Sequence, residues 1–341
     1  MFLSNFFVRC LFLKKIKKES YGFLTIFVAC IMMILQRILI SAVTIPTYAT
    51  NPGRFYIYTF LQTSVVIGTN LIPLYMGYQY QKITRLKVLH YLSRFAFIFL
   101  TATLACNIFF YVQAGSLNIR DYWLILTPIS QNYFTYAVSC TLLFCSIPYT
   151  VGFLNKLSKT TIKYLLLFLT IGLVGCSTLF NKDPFALQNG QSILWIFYLF
   201  LMGYGLKEWN WKEKVRYKLP QVFISLIVLF GLIILMTQIS LIIRGNTDTA
   251  LRFSKPYSLF AMYYTFSSFL FLEMLSDKLG IKGRGNFLAV FLIVTQVICN
   301  FPLVSYRVST FMKREFPNSG KAWLINIGQF FIYYLLAVSL L

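Results

Sequence analysis

Acidic side chains are scarce in this sequence: nine Asp and Glu stand against 31 Lys and Arg in 341 residues, and there is one histidine. The aspartates, Asp121, Asp183, Asp248 and Asp277, lie far apart along the chain. That spacing offers no acidic metal cluster of glycosyltransferase type. One histidine is too few for a zinc site of the usual His and Cys composition. Seven cysteines fall mostly inside apolar stretches, and none forms a CxxC pair. They read as small packing residues, without a disulfide framework. Walker A, G-x-S-x-G and H-E-x-x-H patterns are missing, as are internal repeats of solenoid type. Charged residues make up only 12%, and no polar stretch approaches domain length, so no appended soluble domain is expected. Matched pairs of short, Gly- or Pro-broken spans, the mark of many secondary transporters, are also lacking.

What fills the chain instead is apolar. Hydrophobic residues reach 58%, and mean hydropathy is +0.70. Spans of about 20 apolar residues suffice to cross a hydrocarbon core of roughly 30 Å. Hydropathy places such spans near 21–42, 56–78, 91–112, 134–154, 163–180, 191–206, 220–243, 257–275, 286–306 and 323–341. In lipid every backbone group must be paired internally, so the spans are expected to be helices. The fold class predicted is an all-α polytopic membrane protein of about ten transmembrane helices.

Charge sets the orientation. The basic run Lys14-Lys15-Ile16-Lys17-Lys18 precedes the first span, and Lys and Arg then concentrate in alternate loops. This pattern predicts both termini in the cytoplasm. Residues 1–20 form a cytoplasmic or interfacial segment, with Phe2, Phe6, Phe7 and Phe12 dipping into the headgroups. Its apolar part precedes its charges, the reverse of a cleaved signal peptide. Residues 21–341 make one transmembrane domain. On a soluble chain the net charge of +22 would suggest nucleic acid. Here the charges sit in short loops, so the expected partner is membrane lipid, and no nucleic acid is expected. Aromatic residues at span ends, among them Tyr56, Tyr58, Tyr75, Trp195 and Trp211, read as an interfacial belt.

Polar side chains inside spans are costly and are therefore candidates for function. Glu273 is the one carboxylate inside a span; its plainer reading is a carboxylate snorkelling to the interface or paired with Lys278. His90, at the inner end of the third span, is a candidate general acid or base, against a role as an interfacial anchor. Lys82, Arg85 and Arg94 beside it suit the phosphates of a nucleotide-bearing donor, or are ordinary loop charge. Gln36, Arg37 and Asn70 form a further candidate cluster if the first two helices pack together. Their plainer role is hydrogen bonding between helices.

Four stretches, taken in order, carry a family resemblance: VVIGTNLIPLYMGYQY at 65–80, NYFTYAVSCTLLFCSIPYTVGFLNKLS at 132–158, TLFNKDPFALQNGQSILWIFYLFLMGY at 178–204, and SKPYSLFAMYYTFSSFLFLEML at 254–275. Together they resemble the acyltransferase 3 family of multi-span bacterial membrane proteins. The resemblance implies O-acylation of a cell-surface or exported polysaccharide. Acyl-CoA, in the first place acetyl-CoA, would be co-substrate, with no resident cofactor and no metal. It further implies a polysaccharide or lipid-linked glycan as acceptor and a place in the bacterial cell membrane. Under it, His90, Glu273, Gln36 and Arg37 are the catalytic candidates. Lys82, Arg85 and Arg94 would bind the donor, and Asn70, Tyr78 and Tyr204 the substrate. The family's first-span arginine and histidine are replaced here by Ile26 or Phe27 and by Gln36 or Arg37. A catalytically inactive relative, or a polysaccharide polymerase or flippase, is therefore the alternative.

Overall fold

A computed structural model describes residues 22–42, 48, 52–79, 88–89, 135–180, 183–211, 214 and 218–280. Among these the chain is all helix, without a strand. The main helices are α1 (Phe23–Ala42), α2 (Pro52–Val65), α3 (Gly68–Gln79), α4 (Thr135–Leu154), α5 (Lys159–Leu179), α6 (Ile193–Glu208), α7 (Leu219–Arg244) and α8 (Leu259–Leu279). Five described segments are long and apolar enough to cross a membrane: Phe55–Gln79, Thr135–Leu154, Lys159–Leu179, Leu219–Arg244 and Leu251–Leu279. The third, ninth and tenth expected spans lie outside the described residues, as does the N-terminal segment.

Helix boundaries follow from capping chemistry. The hydroxyls of Ser158, Ser192 and Ser258 accept the backbone N–H groups of Thr161, Trp195 and Ala261, starting α5, α6 and α8. Gly245 and Gly280 adopt left-handed φ values of 64° and 60° and close α7 and α8. Within elements the sequence leaves irregularities that an average over hydropathy does not register. The second span is two helices, α2 and α3, interrupted at Val66 and Ile67. The fifth is α-helical to Leu169, π-helical over Thr170–Gly175, and α-helical again over Cys176–Leu179.

The centre of the bundle is α3, buried on every side from Gly68 to Gly77. Two glycines let α6 cross it with the backbones touching. A Cβ on Gly77 would overlap the carbonyl oxygen of Phe200, and one on Gly203 would overlap that of Leu74. Close approach through small residues is how helices associate without a hydrophobic driving force. On another side, Gly68 lies against the backbone of Met32 and Met33 in α1. Pro73 lacks the N–H that would bond the carbonyl of Thr69. The hydroxyl of Tyr136 in α4 donates to that freed carbonyl at 2.7 Å. Trp195, Tyr198, Phe200 and Phe269 fill the space around this crossing. A second apolar cluster, with Leu39, Phe55, Tyr58, Val65, Leu241 and Leu251, joins α1, α2 and α7.

Contacts between helix termini define the two ends of the bundle. At one end Lys159 Nζ lies 3.9 Å from Glu208 Oε2, Tyr204 donates to Asn155, and Lys207 sits over the ring of Tyr78. At the other, Arg252 Nη1 donates to the carbonyl of Leu179, and Leu259 N–H donates to Thr178 Oγ1. The Lys159 end is the one for which the charge pattern of the sequence gives the expectation of a cytoplasmic side.

Candidate functional site

The polar interior is organised on Asn70, which is fully buried in α3. Its Nδ2 donates to the carbonyl of Pro256 at 2.8 Å and to Thr265 Oγ1 at 3.3 Å. Its Oδ1 accepts from the indole Nε1 of Trp195 at 2.9 Å. One amide thus ties α3 to α6, to α8 and to the loop before α8. That loop needs the tie, because irregular backbone at depth is tolerated only where protein satisfies it. The neighbouring loop also turns inward: Leu187 and Gly190 are buried, and Gly190 packs on Pro256. Its residues Ala186, Gln188 and Asn189 hold φ values of 48°, 51° and 54° about a right-handed Leu187 at −70°, a run costly for side chains other than glycine. Asp183 Oδ2 accepts the N–H of Gln188 at 3.0 Å and helps hold that run. The same inward loop explains why α6 begins only at Ile193.

Next to this node, Tyr198 shares a hydrogen bond of 2.8 Å with Thr170, at the start of the π-helical turn, and donates to Met262 Sδ. Wider turns of this kind recur at functional positions in helices.

Glu273 lies two turns beyond Thr265 on α8, about 12 Å of helical rise. It is 2% exposed and does not reach towards the interface. Its Oε1 accepts from Thr25 Oγ1 of α1 at 2.8 Å, across 248 residues of sequence. The reading of a snorkelling carboxylate gives way to that of a carboxyl buried between two helices. The reason is packing: Phe269, Leu272 and Met274 on α8 are buried around it, and α1 closes over its side. A buried, hydrogen-bonded carboxyl has the chemistry of a general base or proton carrier.

The remaining candidates are scattered. Tyr78 meets Phe269 edge to face, with ring centroids 5.3 Å apart, and the ammonium of Lys207 lies 5.6 Å from its ring centroid. Tyr204 donates to Asn155 Oδ1 at 2.8 Å near the Lys159 end. Gln36 is half-buried on α1, and Arg37 follows it on the same helix. His90, Lys82, Arg85 and Arg94 lie outside the described residues. Both Asn70 and Glu273 are buried and bonded across helices, Asn70 of α3 to Thr265 of α8 and Glu273 of α8 to Thr25 of α1, but no hydrogen bond joins the two. The hydrogen-bond partners of Asn70 are Trp195, Pro256 and Thr265, and Gln36 is not among them.

Sequence reasoning missed Trp195, Tyr136, Thr25 and Thr265. Trp195, Tyr75 and Tyr58 were expected in an interfacial belt, yet all three are buried in the core. For Trp195 the cause is the short α6, which carries its first turn inward to Asn70. Tyr56 and Trp211 are exposed, as an interfacial position requires. Among the described residues no group of His, Cys, Asp and Glu side chains converges as metal ligands would. No family model, curated protein or solved structure matches the chain.

Proposed function

We propose that the chain is a ten-span protein of the bacterial cell membrane, with both termini in the cytoplasm, related to the acyltransferase 3 family. In this reading it transfers an acyl group, in the first place acetyl, from acyl-CoA to a hydroxyl of a surface or exported glycan. One observation carries it. The four stretches that resemble the family, separated in sequence, lie on α3, α4, the loop with α6, and the loop with α8, and all of them meet at Thr69 and Asn70. Similarity by composition alone would have no reason to converge on one node.

The division of labour follows from the two ends. Lys82, Arg85 and Arg94 follow in sequence the end of α3 at Tyr78, which meets Lys207, and would hold the phosphates of a cytoplasmic donor. Glu273 lies towards the same side, because Thr25 belongs to the first turn of α1. In the transfer, the glycan hydroxyl oxygen bonds to the thioester carbonyl carbon and the C–S bond breaks. The hydroxyl proton passes to the Glu273 carboxylate, or to His90, and then to the departing thiolate, which leaves as the free thiol. Gln36 and Arg37 stand where the family carries its histidine, and they would orient the acceptor, since neither accepts a proton near neutral pH.

The replacement of the first-span pair favours a second reading, an inactive relative that binds a glycan or lipid-linked intermediate without acylating it. Membranes from cells that do and do not make the protein, supplied with acetyl-labelled acetyl-CoA, separate the two. The first reading expects label in extracytoplasmic polymer only when the protein is present. Equal labelling in both membranes would leave the second.

A further inference from the structure

Lysines gather where α4 ends and α5 begins. The turn between the two helices is fixed by the Asn155, Lys156 and Leu157 N–H groups, which donate to the carbonyls of Val151, Phe153 and Leu154. Ser158 then caps α5, and Tyr204 of α6 ties the turn down by donating to Asn155 Oδ1. Lys156 stands in this turn, and Lys159 and Lys163 follow at one-turn spacing on α5, all three exposed. Glu208 is the acid that meets them: Lys159 Nζ lies 3.9 Å from its Oε2, with the lysine side chain still 70% exposed. A surface pair of that kind is weak and leaves the ammonium open to another anion. Beyond the lysines both helices turn apolar while staying exposed. On α4, Tyr149 and Phe153 lie one turn apart, each more than half exposed. On α5, Leu167 continues the face of Lys159 and Lys163, and beside it Tyr164 and Phe168 are exposed as well. The opposite face of α5 is buried through Ile162 and Leu166, with Leu166 against Gly205 of α6.

From this pattern we infer a binding site for an anionic phospholipid, its phosphate at Lys156, Lys159 and Lys163 and its acyl chains along the exposed residues of α4 and α5. The order along both helices is that of the lipid, charge at the turn and hydrocarbon further in. A free anion would use the lysines and leave the apolar residues without a role, and a neutral lipid would do the reverse. An acidic soluble partner would reach the turn, but not Tyr149 or Phe168, which lie further along helices apolar enough to span. Tyr149 and Tyr164 suit the headgroup level, where an aromatic ring can be apolar on one side and wet on the other. Each lysine near an anionic lipid surface strengthens binding by about fivefold. The site stands whether or not the chain transfers an acyl group, and it needs only that this end of the bundle face a leaflet holding such lipid.

The test uses full-length protein reconstituted in an equal mixture of phosphatidylglycerol and phosphatidylcholine with the same acyl chains. Lipids still bound after release into a neutral detergent are counted by native mass spectrometry. The wild-type protein should retain phosphatidylglycerol in preference to phosphatidylcholine. Lys159→Gln with Lys163→Gln should lower that preference at least about fivefold, and Lys159→Arg with Lys163→Arg should keep it. Lys218→Gln with Lys278→Gln removes the same charge from exposed positions elsewhere and should leave the preference unchanged. All these side chains are exposed, so unfolding in phosphatidylcholine alone should match the wild type. Inorganic phosphate in excess should not displace the lipid. Equal retention of the two lipids by the wild type would overturn the site. So would an equal fall in the two glutamine variants, the mark of diffuse charge attraction, or displacement by inorganic phosphate, the mark of a plain anion site.

Discussion

Asn70 and Glu273 show how differently two buried polar residues of a membrane helix can be used. Asn70 spends both amide donors and its acceptor on three partners. Replacing it with alanine strands the Trp195 indole N–H and the Pro256 carbonyl, at about 1–3 kcal/mol for each group. Asn70→Ala should thus lower Tm clearly in detergent, and Trp195→Phe should lower it less. Tyr136 answers to Pro73. Tyr136→Phe strands the Thr69 carbonyl and should cost about 1 kcal/mol, but less in a Pro73→Ala background, where a helical N–H can return to that carbonyl. Glu273→Gln keeps an acceptor for Thr25, whereas Glu273→Ala removes it. If the carboxyl moves a proton, both variants lose acyl transfer; if it only joins α1 to α8, the glutamine variant keeps transfer and stability. Sequence could single out Asn70 and Glu273 because polar atoms are rare in apolar spans. Their partners escaped notice: Trp195 is amphipathic and read as a belt residue, and Thr25 is one of many threonines compatible with lipid.

At the scale of elements, the crossing of α3 and α6 is the tightest joint in the described bundle. Gly77→Ala or Gly203→Ala must push the helices apart, an overpacking cost of about 1–3 kcal/mol. Gly231→Ala in α7 meets nothing within 4 Å and should be neutral or stabilising, by up to about 1 kcal/mol from helix propensity. Parallel unfolding curves for the three variants check this ordering, and an equal effect at all three positions would speak against a close crossing. Helix positions were legible because length and hydropathy suffice to set them: 134–154 became Thr135–Leu154, and 220–243 became Leu219–Arg244. The break at Val66 and Ile67 and the π-helical turn were not legible. Both are settled by packing neighbours, which a window average along one chain does not contain. The inward loops before α6 and α8 were hidden for the same reason, since their burial depends on Asn70, distant in sequence.

For the molecule as a whole, the arrangement of ends follows the charge. Lys156, Lys159, Lys207, Lys214 and Lys278 gather where α4, α6 and α8 end and α5 begins. Single cysteines in a cysteine-free background, at Lys159 or Lys278, should react with a membrane-impermeant thiol reagent only in inverted vesicles. Cysteines at Tyr48 or Lys255 should react in whole cells. The reverse pattern would invert the topology and place the donor residues on the wrong side for cytoplasmic acyl-CoA. Function was less legible than architecture. Hydropathy speaks for every span, while chemistry rests on a few side chains whose neighbours come from other helices, and the first span, where the resemblance would place an arginine and a histidine, offers Ile26 or Phe27 and Gln36 or Arg37 instead. The central claim, acyl transfer to a surface glycan, is tested most directly by the O-acetyl content of cell-surface polysaccharide, measured per sugar residue, in cells with and without the protein. The account predicts that O-acetyl content falls when the protein is removed, while polymer amount and chain length stay the same. Unchanged acetylation with altered amount or chain length would contradict it.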